Sequence, residues 1–244
     1  MDELQLRILL GALPGFLLLI YIFKKDPQPE PKSRLAKAVL WGALICIPVS
    51  LVEVIISHVL FGSGLEPTTT IGATAEAFLV AALPEEGFKL LALWLVLRHN
   101  PYFDEHFDGI IYAVCVGLGF ATVENVLYLF QFDDEWVSIG ISRALLAVPA
   151  HYAFGVLMGY YYSLHHFVDH SQRIAVCILL VPALAHGFYD AIALSAAINP
   201  AVEGVSMLVL IVFCIYLHKY CKKRIAEQVA RDRSTNLDLK NFKF

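Results

Sequence analysis

Apolar residues come in seven long runs, at residues 4–23, 35–61, 71–98, 107–130, 138–164, 172–198 and 202–221. Each reaches or passes the roughly 20 residues that a helix needs to cross the hydrocarbon of a bilayer. The pattern predicts an all-α membrane protein, a bundle of about seven transmembrane helices. Runs longer than the minimum are expected to tilt, kink or project beyond the lipid. Pro48, Pro84, Pro149 and Pro182 fall inside runs, where neighbouring helices can satisfy the carbonyls they free. No soluble domain, internal repeat or low-complexity stretch interrupts the pattern. Residues 1–244 therefore read as one polytopic membrane domain, closed by a polar tail at 222–244 that is expected to form a short surface helix and then disorder.

Charge sets the expected orientation. The loop after the first run carries Lys24, Lys25, Lys32, Arg34 and Lys37, whereas Gly62 to Thr70 carries no Lys or Arg. The third loop has Arg98, the fourth none, the fifth Arg173 and the sixth none. The tail holds Lys219, Lys222, Lys223, Arg224, Arg231, Arg233, Lys240 and Lys243. Positive charge thus alternates loop by loop, which places the N-terminus outside and the C-terminus in the cytoplasm. Asp133, Asp134 and Glu135 fall on the outer side. Asp2 and Glu3 precede the first run and Lys24 and Lys25 follow it, the reverse of a cleavable signal, so that run is expected to be a permanent helix.

Composition agrees. The chain is 58% hydrophobic and 16% charged, with a mean hydropathy of +0.65. This excludes a water-soluble domain of this length. The lipid bilayer is the expected surrounding, and no nucleic-acid partner is expected. Cys46, Cys115, Cys177, Cys214 and Cys221 are scattered without C-x-x-C spacing, so they read as packing residues.

Ionisable groups inside the apolar runs ask for a reason, because a charge at mid-bilayer costs at least about 2.5–3.5 kcal/mol. The third run contains Glu85, Glu86 and Lys89, and the fourth Glu124 and Asn125. The fifth contains His151, with Arg143 nearer its outer end; the sixth contains His186 and Asp190. At about 1.5 Å per residue, Glu85 lies roughly 20 Å from the outer side, His151 and His186 roughly 18 Å, Asp190 roughly 12 Å and Glu124 roughly 9 Å. Four helices therefore bring polar groups to overlapping depth. Ala73, Ala77, Ala81, Glu85 and Lys89 recur every fourth residue, as do Gly109, Ala113, Gly117, Ala121 and Asn125, and Ala147, His151, Gly155 and Gly159. His186 and Asp190 share a face beside Ala183, Gly187, Ala191 and Ser195. Small residues at this spacing allow close helix approach in lipid, so the polar residues are expected to face the bundle interior. A lone His or Asn can be interhelical glue, and Glu85 with Lys89 can be a neutralised pair. Two adjacent glutamates, a third acid, two histidines and an aspartate exceed what glue requires. Glu53 and His58 read as structural or interfacial.

These residues resemble a known family. Pro84-Glu85-Glu86-Gly87-Phe88-Lys89 resembles the E-E-x-x-K motif of the PrsW intramembrane proteases. The stretch from Phe107-Asp108-Gly109 to Phe120-Ala121-Thr122-Val123-Glu124-Asn125 resembles that family's F-x-x-x-E-N block on a glycine-rich helix. His151 with Gly155 resembles its third block, and His186-Gly187-Phe188-Tyr189-Asp190 its fourth. The likeness covers about residues 71–195, and a catalytic core of about 71–198 follows from it. It implies proteolysis of a membrane-anchored protein in a bacterial cytoplasmic membrane. Namesake members make the first cut in an anti-sigma factor, which leads to release of a stress-response sigma factor. The family is often labelled metalloprotease and is similar to the wider CAAX-prenyl protease superfamily. Relative to that superfamily, Glu124 stands in place of a His and Asp190 in place of an Asn.

Peptide hydrolysis by water needs a base and a group that stabilises the oxyanion. The chain has no G-x-S-x-G and no H-E-x-x-H, so water is the expected nucleophile. Two mechanisms fit Glu85, Glu86, Lys89, Glu124, Asn125, His151, His186 and Asp190. In one, His151, His186 and a carboxylate such as Glu86 hold a Zn²⁺-like ion and a glutamate is the base. In the other no metal takes part; Glu86 or Glu85 activates water, and His186 with Asn125 donates to the oxyanion. A competing reading is a proton- or ion-coupled transporter, since such residues also build proton relays, but no transporter-like repeat is present.

Overall fold

The structure is a computed structural model that describes residues 2–62, 69–132 and 134–241. It is helical, and no strand occurs among the described residues. The elements are α1 (Glu3–Phe23), α2 (Lys32–Phe61), α3 (Thr70–Ala75), a π-helical segment (Glu76–Ala82), α4 (Leu83–Leu97), α5 (His106–Gln131), α6 (Trp136–Leu145), α7 (Ala147–Phe167), α8 (Gln172–Ile198), a 3₁₀ turn (Pro200–Val202) and α9 (Glu203–Asn241). Asp133 lies outside the described residues.

Six helices among the described residues are long and apolar enough to cross a membrane, with α6 and α7 counted as one. The third run also folds as helix from Thr70 to Leu97, but in three pieces and with Glu76, Glu85, Glu86 and Lys89 along it. About seven spans is consistent with this, the third being the interrupted one. The interruptions have local causes. Proline lacks an N–H and its ring excludes the carbonyl four residues earlier. Pro84 lies just after the π segment, which widens the turn that would otherwise meet Val80. Pro149 sits in the first turn of α7, and α6 ends at Leu145, four residues before it.

The bundle is organised around α5. Every residue from Phe107 to Ala121 is buried, because α1, α2, α4, α6, α7 and α9 pack around α5. A helix buried on all sides needs no polar face. Its closest neighbour is α7. A Cβ on Gly109 would come within 2.1 Å of Ser163 Oγ, and one on Gly159 within 2.2 Å of the Gly109 carbonyl oxygen. Only glycine permits that approach, as the four-residue spacing on both helices foreshadows. The peripheral helices α1, α2 and α9 turn large apolar side chains outward, among them Leu17, Ile47, Leu51, Leu208 and Val212. In lipid this outer belt is the expected surface.

The polar tail departs from expectation. It begins no separate element, because α9 runs unbroken from Glu203 to Asn241. Its buried residues Leu210, Cys214, Leu217, Cys221, Ile225, Gln228 and Asp232 recur every three or four positions, one stripe that continues past residue 221. Asp232 accepts from the backbone N–H groups of His106 (2.8 Å) and Phe107 (2.9 Å), so the far part of α9 docks on the start of α5.

Candidate active site

The paired glutamates stand directly after the π segment, in the first turn of α4. Glu85, Glu86 and Lys89 are all buried. The Lys89 ammonium donates to Glu85 Oε2 (2.9 Å) and Glu86 Oε1 (2.8 Å), and it lies 3.1 Å from His151 Nδ1. An ammonium carries three protons, so those three contacts saturate it. It also stands over the Phe120 ring, 4.3 Å from the centroid. One lysine thus serves both adjacent glutamates, one at i,i+4 and the other at i,i+3, with a histidine from α7 completing the set.

His186 of α8 closes the other side. Its Nδ1 is 3.0 Å from Glu86 Oε1, and its Nε2 is 3.1 Å from Asp190 Oδ2 and 3.9 Å from Glu85 Oε2. Its ring stacks on Phe154 with centroids 4.7 Å apart, and His151 meets it edge-on at 5.1 Å. The Gly187 backbone packs against the Phe78 ring of the π segment, which brings α8 close enough for these bonds. On the opposite side His151 Nε2 lies 3.0 Å from Glu124 Oε2.

A cavity of about 1050 Å³ opens beside this network. Glu85, Glu124, His151, His186 and Asp190 line it. Glu86 and Lys89 lie behind its wall. Glu85 therefore presents a carboxylate to the cavity with one oxygen fixed by Lys89, whereas Glu86 is fully buried and its Oε2 has no hydrogen-bond partner. Glu53 and Glu76 also line the cavity, from α2 and the π segment.

All eight residues singled out in the sequence fall in or beside this network, but Asn125 turns away from the cavity. Its amide donates to the Gly11 carbonyl of α1 (2.9 Å) and its oxygen accepts from Arg143 Nε (2.8 Å). One amide proton and the oxygen are thus engaged, and Asn125 is fully buried and outside the cavity lining. Sequence reasoning missed Arg143 as part of the site. The signal was present: a lone arginine in an apolar run demands a partner.

Glu85, Glu86, His151 and His186 each offer a ligand atom, and these atoms lie within 4.8 Å of one another. Two histidines and two carboxylates, all buried, with one carboxylate oxygen otherwise unbonded, suit a divalent metal ion. Lys89 Nζ bonds three of those four residues, so the ammonium and an ion would draw on the same side chains.

A helical membrane bundle that gathers a glutamate and two histidines on a cavity, backed by a second buried glutamate, holds a cluster of ionisable groups suited to chemistry within its spans. Comparison with known proteins names the kind: the model of the PrsW family intramembrane metalloproteases matches residues 30–217, and the chain belongs to that family. Protease PrsW of Geobacillus kaustophilus (strain HTA426) is 37% identical over 182 residues, covering 74% of this chain and 76% of that protein. The Bacillus subtilis (strain 168) protein of the same name is 34% identical over 183 residues, covering 74% and 79%; that of Clostridioides difficile (strain 630) is 34% identical over 187 residues, covering 75% and 76%. No solved structure matches. The chain is thus an integral membrane peptidase, with a bilayer around it and a membrane-embedded substrate.

Proposed function

We propose that Glu85 is the general base that activates water for peptide hydrolysis. The observation that carries this is its position: it is the one of the paired glutamates that lines the cavity, with one oxygen oriented by Lys89. Glu85 takes a proton from water as the hydroxide adds to the scissile carbonyl carbon. The His186 Nε2–H, which borders the same space and bonds Asp190 at rest, passes its hydrogen bond to the new oxyanion, while Nδ1 on Glu86 keeps the ring oriented. Collapse of the tetrahedral carbon breaks the C–N bond, and Glu85 returns its proton to the leaving amine. Glu86 and Lys89 hold the base and the histidines in place from behind the wall. Asn125 has a supporting role and lies outside the chemistry.

Where zinc is taken up, Glu86, His151 and His186 are the residues that would hold it, leaving Glu85 as the base, with Lys89 releasing its bonds to Glu86 and His151. A bound zinc supplies Lewis acidity toward water and the scissile carbonyl. The alternation of Lys and Arg between loops supports an external N-terminus and a cytoplasmic C-terminus, and the bacterial relatives support a bacterial cytoplasmic membrane. The substrate class is a membrane-anchored protein with a single span, an anti-sigma factor being the first candidate.

The test is cleavage of such a substrate by purified protein in detergent or nanodiscs. Glu85→Gln keeps size and removes the base, and the loss of a positioned general base is on the order of 10²- to 10⁴-fold in rate. Wild-type rates in Glu85→Gln overturn the assignment.

A further inference from the structure

The wall of the site facing α6 holds one cation that the chemistry above does not use. Arg143 sits in the last turn of α6, just before the break at Leu146. Its guanidinium forks across α5: Nη2 donates to Glu124 Oε2 (2.8 Å) and Nε to Asn125 Oδ1 (2.8 Å). The Tyr128 ring packs against it, 3.9 Å from the guanidinium carbon to the ring centroid. The Glu124 oxygen that Arg143 binds is the one that meets His151 Nε2. A carboxylate only accepts, so Nε2 carries the ring proton; the ammonium of Lys89 only donates, so Nδ1 presents its lone pair. The tautomer and angle of His151 are therefore set from the Glu124 side, and Glu124 is held by Arg143.

Charge leads the same way. Glu85, Glu86, Glu124 and Asp190 face two fixed cations, Lys89 and Arg143. The three donors of Lys89 go to Glu85, Glu86 and His151, so Arg143 is the fixed cation bonded to Glu124. Helix packing does not require this ion pair. The α5–α7 contact is made by Gly109 and Gly159, and α6 sits on α1 and α5 where Gly140 meets Leu10 and Leu129. A buried ion pair adds little net stability over an apolar pair of the same shape.

We propose that Arg143 is a positioning residue of the peptidase: it fixes Glu124, Glu124 fixes the ring of His151, and His151 completes the cradle that holds Lys89 against the paired glutamates. This rests on the peptidase reading above, so its test includes a readout that needs no substrate. In protein labelled with ¹⁵N-histidine, the His151 signal, assigned from a His151→Gln spectrum, reports the Nε2–H tautomer in wild type and loses it in Arg143→Met. With substrate, Arg143→Met lowers kcat by on the order of 10- to 100-fold while KM stays within about threefold. Arg143→Lys keeps the charge without the fork and recovers part of the loss. Glu124→Gln with Arg143→Met removes both charges together, so this pair folds even where the single methionine variant leaves a buried carboxylate stranded. If Arg143 acts through Glu124, adding Arg143→Met to Glu124→Gln costs less than about twofold more. Multiplied losses in the double variant, or an unchanged His151 tautomer with wild-type kcat in Arg143→Met, overturn the proposal. A Glu85→Gln enzyme that still cuts overturns the peptidase assignment alone.

Discussion

The membrane-spanning site and the end of the bundle that carries the Lys- and Arg-rich loops both bury carboxylates, but they hold them by different means. In the site, Glu85, Glu86 and Glu124 bond to side chains from other positions or other helices: Lys89, His151, His186 and Arg143. At the basic end, Asp108 accepts from the backbone N–H groups of Asp104 (3.0 Å) and Glu105 (2.7 Å), and Asp232 from those of His106 and Phe107. Those N–H groups are the ones a helix N-terminus leaves without partners. Glu30 takes the hydroxyl of Tyr112. Acids held by backbone finish a helix and fix where the chain enters the bundle. Acids held by movable side chains beside a cavity can exchange partners during a reaction. The same residue types thus divide into architecture, where backbone donors predominate and the Tyr112 and His106 side chains assist, and chemistry, where the donors are side chains.

The largest effect that would test this division is at Lys89. Lys89→Met strands two adjacent buried carboxylates, a loss of about 3–5 kcal/mol in stability. It also frees the side chains that accept from the ammonium, so zinc should bind the variant more tightly than wild type, read by competition with a chromogenic chelator. Zinc affinity equal to wild type would mean that ammonium and ion do not compete for one place.

A smaller effect is expected at Asp232. Asp232→Ala removes a buried cap at the joint of α9 and α5, costing on the order of 1–3 kcal/mol. Amide exchange at His106 and Phe107 should quicken while kcat stays within about twofold of wild type. A collapse of kcat at unchanged stability would move this end of the molecule from architecture to chemistry.

The smallest effect is at Glu30. Burial pushes its carboxyl up to about 6 from an ordinary 4.5, against the opposing hydrogen bond from Tyr112. An acid that holds its proton more firmly folded than unfolded contributes stability below pH 4.5 and loses it as pH rises through about 6. Glu30→Gln should therefore unfold at higher temperature than wild type at pH 8, by the equivalent of about 1–2 kcal/mol, with the gap closing toward pH 4.5. A gap that does not change with pH would show that Glu30 is not held as an acid.

Much of this was legible in the sequence because membrane helices write their packing in small residues. The Gly109–Asn125 and Ala147–Gly159 spacings marked the faces of α5 and α7 that meet, and the acids and histidines lay on or beside those faces. What stayed hidden depends on events off the ridge. A count at 100° per residue turns Glu85 and Glu86 to different faces, but the π segment before them shifts the frame, so the count does not say which of the two meets the cavity. Asn125 shares the α5 ridge yet bonds to α1, a helix whose role no motif marked. Arg143 looked peripheral because the break at Leu146 was not read from Pro149. The docked tail was obscured because Gln228 and Asp232 are polar, although they continue the buried stripe of α9.

The all-round burial of α5 has a consequence for how the protein is made. Its neighbours α1, α2 and α4 precede it in the chain, and α6, α7 and α9 follow. A membrane chain is synthesised from its N-terminus, so α5 reaches the bilayer when the walls before it are already present and those after it are not. The face bearing Gly109, Ala113 and Gly117 waits for α7, and until then His151 is missing and Glu124 lacks its imidazole. The site is therefore completed late in synthesis, when α7 and α8 enter, and the nascent half-bundle carries the paired glutamates without either histidine.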